Sequence, residues 1–190
     1  MNKYYIHESS IIDQNVEIGH NTYIWHFTHI MGNVKIGNNT IIGQNCFIGK
    51  NVEVGNYCKL QNNISLYEGV IVKNKVFIGP SAVFTNVINP RSFIERKEEF
   101  MPTIINDGAS IGANATIICG NKIGKYSLVG AGSVVNRDVK DYEVVVGNPI
   151  RRIGWISKEG EKLNFKESAS LEKNGTIYLL KKGEVTSRKK

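Results

Sequence analysis

The chain has 190 residues, 41% hydrophobic and 22% charged, with 24 Lys and Arg against 17 Asp and Glu and a formal net charge of +7. This length suits one domain with a small appendage, and no apolar stretch is long enough to span a membrane or form a secretory leader. Three cysteines with no Cys-x-x-Cys pair exclude a disulfide framework, so a cytoplasmic setting is expected.

From Ile6 to Phe84 every sixth residue is apolar, fourteen positions without a miss. No α-helix or ordinary strand has that period, whereas a chain turning a corner every six residues does. The position two residues earlier is small or β-branched, as at Val34, Thr40, Cys46, Cys58 and Ala82. Large and small inward side chains therefore alternate, and Cys46 and Cys58 read as core residues. Three residues after each apolar position Asn and Gly dominate, as at Asn15, Asn33, Asn51, Asn63 and Gly69. These residues tolerate a left-handed backbone at a corner. A β-sandwich would need a period of two and hairpin turns instead.

The period fails once. Phe84 and Ile105 are 21 residues apart, where 18 or 24 would keep phase. Residues 85–104 are therefore expected to leave the coil as a loop, carrying Asn86, Pro90, Arg91, Arg96 and Lys97. The period resumes at Ile105 and runs through Ile111, Ile117, Ile123 and Val129 to Val135. With 18 residues per coil, Asn86 stacks on Glu68 and Glu68 on Lys50, which suggests a Glu68–Lys50 pair. Thr85 stacks on Tyr67, and His29 lies two coils below the level of Leu66. If the loop replaces one corner, Ile117 stacks over Phe84 and Cys119 over Asn86; for Cys119 packing is preferred over a nucleophilic role.

The repeat is expected to fade near Val139, giving a solenoid over residues 1–140 and an extension over 141–190. Asn174-Gly175 between apolar residues predicts a β-hairpin packed back on the solenoid's end or on a neighbouring subunit. Residues 186–190 should fray. Residues 150–190 hold 11 Lys and Arg against 5 Asp and Glu, so most of the net charge lies there. Basic residues are too sparsely interleaved with aromatics to predict a nucleic-acid partner. A solvated tail or contact with a phosphorylated ligand are the readings left.

The six-residue pattern resembles the hexapeptide-repeat, left-handed parallel β-helix family, three hexapeptides to a triangular coil and six to seven coils here. Trp25-His26-Phe27-Thr28-His29, Gln61-Asn62-Asn63-Ile64-Ser65, Phe84-Thr85-Asn86-Val87, Asn89-Pro90-Arg91-Ser92 and Gly147-Asn148-Pro149 resemble one branch of its acyltransferases, the bacterial nucleotide-sugar N-acetyltransferases. The nearest resemblance is to enzymes acetylating the 3-amino group of UDP-2-acetamido-3-amino-2,3-dideoxyglucuronate for O-antigen biosynthesis. Enzymes acting on dTDP-3-amino-3,6-dideoxyhexoses share much of it. The chain departs from the branch at Ile150, where relatives usually carry Ala, and at Ser168 and Ser170, where they often carry Cys.

The resemblance implies a homotrimer, acetyl-CoA in the groove between adjacent β-helices, a nucleotide amino-sugar near the loop, and Asn86 in the active site. It also implies that the leaving CoA sulfur takes the amine's proton where no protein base is placed. Glu68 suits a carboxylate that orients the amine, or is a corner charge. His29, Tyr67 and Arg91 are candidate substrate contacts. Gly112, Ala113, Gly130 and Ala131 are small enough for a pantetheine arm to approach. Asn148, Pro149, Arg151 and Arg152 are placed toward the cofactor. No metal is expected: a γ-type carbonic anhydrase needs three zinc-binding histidines, and His7, His20, His26 and His29 all lie in the first coils. A non-enzymatic scaffold should repeat a flat outer face without a loop. A serine O-acetyltransferase relies on a histidine in the later coils, and none follows His29.

Overall fold

The computed structural model describes residues 4–165 and 169–190; Ser168 lies outside them. Strands of two or three residues alternate with corners from Tyr5 to Val135, and the lone helical turn among the described residues is Lys97–Glu99 in the loop. The strands stack in parallel at a register of 18, as Tyr23 on Ile41 and Ile41 on Lys59. They build sheets of ten, seven and six strands. This is the left-handed parallel β-helix that the period implied. The periodic aliphatics line its interior, and from Ile24 to Val135 each is buried. Ile6, Ile12 and Ile18, in the first coil, are partly buried.

The small inward positions do more than fill space. Thr22, Thr28 and Thr40 donate their hydroxyls to the carbonyls of Gly37, Gly43 and Gly55 at 2.7, 3.0 and 2.8 Å. Cys46 and Cys58 do the same with their thiols, toward the carbonyls of Gln61 (3.2 Å) and Lys73 (3.0 Å). Burial pushes the Cys46 thiol up to about 11 and raises that of Cys58. Both are core residues, as expected.

Asn15, Asn33, Asn51 and Asn63 hold positive φ at corners, and so do Phe27, Tyr57, Lys75, Ser81 and Tyr126. The corner is thus imposed by the fold even where the residue type opposes it. A neighbouring column ties coil to coil: the side-chain oxygens of Asn38, Asn56, Asn74 and Asp107 each accept the backbone N–H of the residue one coil below, at 2.7 to 2.9 Å.

Across the loop the register becomes 33, with Phe84 on Ile117 and Val72 on Ile105. The loop therefore replaces the corner between the second and third faces. It is shorter than expected. Thr103–Ile105 is already a strand, paired with Val70–Val72, so the excursion covers residues 85–102. The backbone N–H of Met101 donates to the carbonyl of Asn86 at 2.9 Å and closes its base.

The upper end also differs from expectation. The first face continues past Val139, because Glu143–Val146 stacks in parallel on Leu128–Val129. Ile150, 7% exposed, then joins the core at the last coil. Asn174-Gly175 does make the hairpin turn, between Ser170–Lys173 and Thr176–Lys181. Residues 186–190 do not fray as a whole: Glu184–Lys189 adds a third strand in register with Thr176–Lys181. Tyr142, Trp155, Leu163, Tyr178 and Val185 form a second apolar cluster, which seats this sheet on the solenoid's end.

Candidate active site

Glu68 and Asn86 lie two residues beyond Leu66 and Phe84, on strands that are neighbours in the second face. They share the corner where the loop leaves, as the stacking predicts. Met101 and Pro102 return over Gly69, 3.6 and 3.7 Å from where a Cβ would stand. The corner thus holds one carboxylate, one amide and the loop's two ends.

Glu68 does not pair with Lys50. Its Oε1 accepts the Asn51 side-chain amide at 2.6 Å. The reason lies in the corner column. Asn33 donates upward to Asn51 at 3.4 Å, and Asn51 would in turn donate to the next residue in that column, but Gly69 offers no side chain. The amide turns to Glu68, while Lys50 stays in solvent. This link fixes the carboxylate and leaves Oε2 available. Asn86 is half-buried, with its backbone carbonyl engaged by Met101.

Tyr67 is exposed beside this corner, with its ring 6.0 Å from that of Phe47. Above it, the Thr85 hydroxyl accepts the Cys119 backbone N–H at 2.9 Å. Cys119 is buried, which favours packing over nucleophilic work. His29 is not at the corner. It lies in the second face below Phe47 and Ser65, and its Nε2 is 3.1 Å from Asp13 Oδ1.

The loop cations are less free than expected. Arg96 binds both oxygens of Glu99 at 2.7 and 2.8 Å. Lys97 pairs with Glu95 at 2.7 Å, which raises the lysine's pKa and lowers the glutamate's. Arg91 is exposed, and its Nη1 donates to the adjacent Pro90 carbonyl at 3.1 Å.

The small residues of the later coils have a second explanation. A Cβ on Gly79 would meet the Ala113 backbone nitrogen at 2.5 Å, and one on Gly112 would meet that of Ala131 at 2.4 Å. On Gly130 it would meet Val146 Cγ1 at 2.7 Å. These glycines let one coil sit on the next, whatever passes outside. Beyond them, Asn148, Pro149 and Arg151 are exposed, and the Arg152 guanidinium lies 4.8 Å from the Trp155 ring centroid. An apolar groove of about 240 Å³ runs alongside, lined by Leu128, Val144, Ile153, Trp155 and Lys162 among others. A groove of about 470 Å³ follows a different corner, along Asn38, Asn56, Asn74 and Asp107. Its Asn38, Asn56, Asn74 and Asp107 side chains are engaged in the coil-to-coil ladder, and Tyr57, Lys75 and Tyr126 complete its lining. Among the described residues no three His, Cys, Asp or Glu side chains gather as a metal site, and no helix is long and apolar enough to cross a membrane.

The sequence marks Asn51 only as a corner residue, and nothing in it marks Asp13. Both lie within one coil of their partners, so the 18-residue register was the signal that could have found them.

The bacterial transferase hexapeptide model (six repeats) matches residues 15–50. The hexapeptide repeat of succinyl-transferase matches residues 33–68 and 102–137, on either side of the loop. The chain is 45% identical over 89 residues to a dTDP-3-amino-3,6-dideoxy-α-D-galactopyranose 3-N-acetyltransferase of Aneurinibacillus thermoaerophilus, covering 47% of this chain and 46% of that one. It is 40% identical over 83 residues to a 2,3,4,5-tetrahydropyridine-2,6-dicarboxylate N-acetyltransferase of Staphylococcus aureus, covering 44% and 32%. The chain spans about half the length, or less, of these curated relatives. Among solved structures, a variant of the N-acyltransferase AntD from Bacillus cereus, in complex with dTDP and coenzyme A, superposes with a TM-score of 0.50 at 20% identity, covering 82% of this chain and 85% of that one. At that identity the likeness concerns the fold.

Proposed function

We propose that the chain transfers an acetyl group from acetyl-CoA to the amino group of a nucleotide-linked amino sugar. The observation that carries this reading is the corner where the loop leaves the coil, with Glu68 tethered by Asn51 and Asn86 one coil above. Acetyl transfer needs a neutral amine held against the thioester carbon. Asn86 can accept a hydrogen bond from the amine through its side-chain oxygen. Glu68 Oε2 can accept a second and orient the nitrogen lone pair. The C–N bond forms as the C–S bond breaks, and the amine's proton leaves with the thiolate as the thiol. The apolar groove along Ile153 and Trp155, with Arg151 and Arg152 beside it, suits the cosubstrate's pantetheine and phosphates.

For the acceptor, the 45% identical relative favours a dTDP-3-amino-3,6-dideoxyhexose. The UDP-linked 3-amino-uronate implied by the motif resemblance stands second. What favours it is Arg91, a loop cation that donates to a backbone carbonyl in a loop whose other two cations pair with carboxylates.

A single β-helix presents convex corners, and a ligand needs a second wall. The outward column of the first face carries Tyr23 and Phe77 exposed with Lys59 between them, that of the second carries Ile11 and Val83 exposed, and the third face stacks Glu17, Lys35 and Glu53. A homotrimer packed on the first face would bury Tyr23 and Phe77, turn the second face into one wall of a groove and leave the charged column in water. Thiol release from acetyl-CoA against a panel of nucleotide-linked amino sugars tests the reading. Turnover with a 3-amino sugar supports it, and no turnover with any member overturns it.

A further inference from the structure

The corner accounts for the reacting end of a nucleotide sugar and leaves the other end without a seat. Down the second face from that corner runs a line of rings. Tyr67 is 6.0 Å from Phe47, and Phe47 is 5.8 Å from His29 in an edge-on arrangement. The line ends at the His29–Asp13 contact, where both side chains are still about two-fifths exposed. The outward column is otherwise uncharged, reading Ile11, His29, Phe47, Ser65 and Val83. The Asp13–His29 pair is therefore an isolated polar feature on an apolar, aromatic strip, which is the usual character of an orienting group in a ligand site.

Its distance from the chemistry is also suitable. From the level of Val83 to that of His29 is three coils, about 14 Å at the spacing of neighbouring strands. An extended nucleoside diphosphate sugar has a comparable reach from its sugar amine to its base. We propose that this strip is the nucleoside subsite: the base lies against the Phe47 and His29 rings, and an N–H of the base donates to Asp13 Oδ2. Asp13 Oδ1 meanwhile holds the imidazole. The role of His29 is then to position and stack, not to take the amine's proton. This inference rests on the nucleotide-sugar reading above and adds which residues hold the nucleoside.

The test uses direct binding, so that it does not depend on acetyl transfer. Titration calorimetry with dTDP, UDP and acetyl-CoA is run on the wild-type assembly and on Phe47→Ala, His29→Ala and Asp13→Asn. The expected result is nucleotide binding by the wild type, weakened ten-fold or more in each variant, with acetyl-CoA affinity unchanged. Wild-type nucleotide affinity in all three variants would overturn the proposal, and so would a wild type that binds neither nucleotide. A parallel thiol-release assay with the accepted amino sugar and with its sugar 1-phosphate separates the roles. KM should rise for the nucleotide sugar alone; an equal loss of kcat with both substrates would make His29 a proton acceptor and sink the subsite. Wild-type turnover in that assay tests the enzyme reading separately.

Discussion

Gly112 separates two explanations for the small residues of the later coils. Its φ is ordinary, so alanine carries no backbone penalty there; the question is space alone. The added Cβ would stand 2.4 Å from the Ala131 nitrogen and 2.7 Å from the Ala131 Cα. Neither is the end of a flexible side chain, so relief requires two hydrogen-bonded coils to part. Overpacking a core costs about 1–3 kcal/mol where side chains can adjust, and this site belongs at the top of that range. At about 2–4 °C per kcal/mol for a chain of this size, the melting temperature should fall by roughly 6–12 °C. Gly132 is the control. A Cβ there meets nothing within 4 Å, but its φ is +66°, so Gly132→Ala carries only the left-handed penalty of about 1–2 kcal/mol. Circular dichroism melts of both variants, with KM for acetyl-CoA, decide the matter. If Gly112→Ala melts with the wild type and loses only cosubstrate affinity, the stacking argument is wrong and the glycine serves the ligand.

Asn86→Ala should lower kcat by about 10²-fold or more, as removal of a group that positions the attacking atom does, with the molar mass by light scattering the same as the wild type's. Glu68→Gln keeps an acceptor oxygen and should lose less; full activity in Asn86→Ala would move the site elsewhere. The Cys46 thiol, held at about 11 against an ordinary 9.0, gives stability a slope in alkali. The unfolded chain loses this proton first, so stability is intact below about pH 9 and declines toward pH 11 by at most ~3 kcal/mol. Urea melts at pH 8 and 10.5 should show the decline, and Cys46→Ala should reduce it while the raised Cys58 thiol keeps a remainder. Glu143 is 2% exposed, pairs with Arg137 at 3.1 Å and accepts the Lys140 N–H at 2.8 Å. Glu143→Ala orphans that amide and should cost about 2–3 kcal/mol by denaturant titration, whereas an exposed pair such as Lys35–Glu17 should cost well under 1.

The sequence carried the coil because each inward position is decided locally. A polar residue at Ile48 or Leu66 would lie buried without a partner, so the period survives intact and the stacking neighbours follow by counting. The register even placed Ile117 over Phe84 across the loop. Counting does not give side-chain direction, however. By register Lys50 lies directly under Glu68 and its chain neighbour Asn51 one residue to the side, so counting favours the wrong partner. The left-handed corner at Asn51 aims its amide up the column, while Lys50 is left in water, and only the backbone at that corner distinguishes them. The loop ends earlier than the period implies for a related reason. Thr103 and Ile104 read as loop because the period restarts at Ile105, yet a strand needs its pairing partners and not its own period, and Val70–Val72 supplies them.

The same limit explains why the corner alone cannot be the whole site. Periodicity describes what each residue does inside its own chain, where Tyr23, Phe77 and Val83 have no role and stand exposed. The first face's outward column, with Tyr23 and Phe77 exposed about Lys59, stands beside the second face's column of Ile11, His29, Phe47, Ser65 and Val83 and holds apolar surface that a second copy would cover. If a second copy does, the convex corner at Glu68 and Asn86 gains a facing wall, and the aromatic strip below it becomes one side of a groove. Phe77→Glu sits on the first of these columns, away from the corner and the strip. It should leave the coil folded, since its side chain points outward, while dissociating the oligomer and abolishing turnover. A variant that remains assembled would place the contact on another face, and a monomer that retains full turnover would show that one chain's corner suffices.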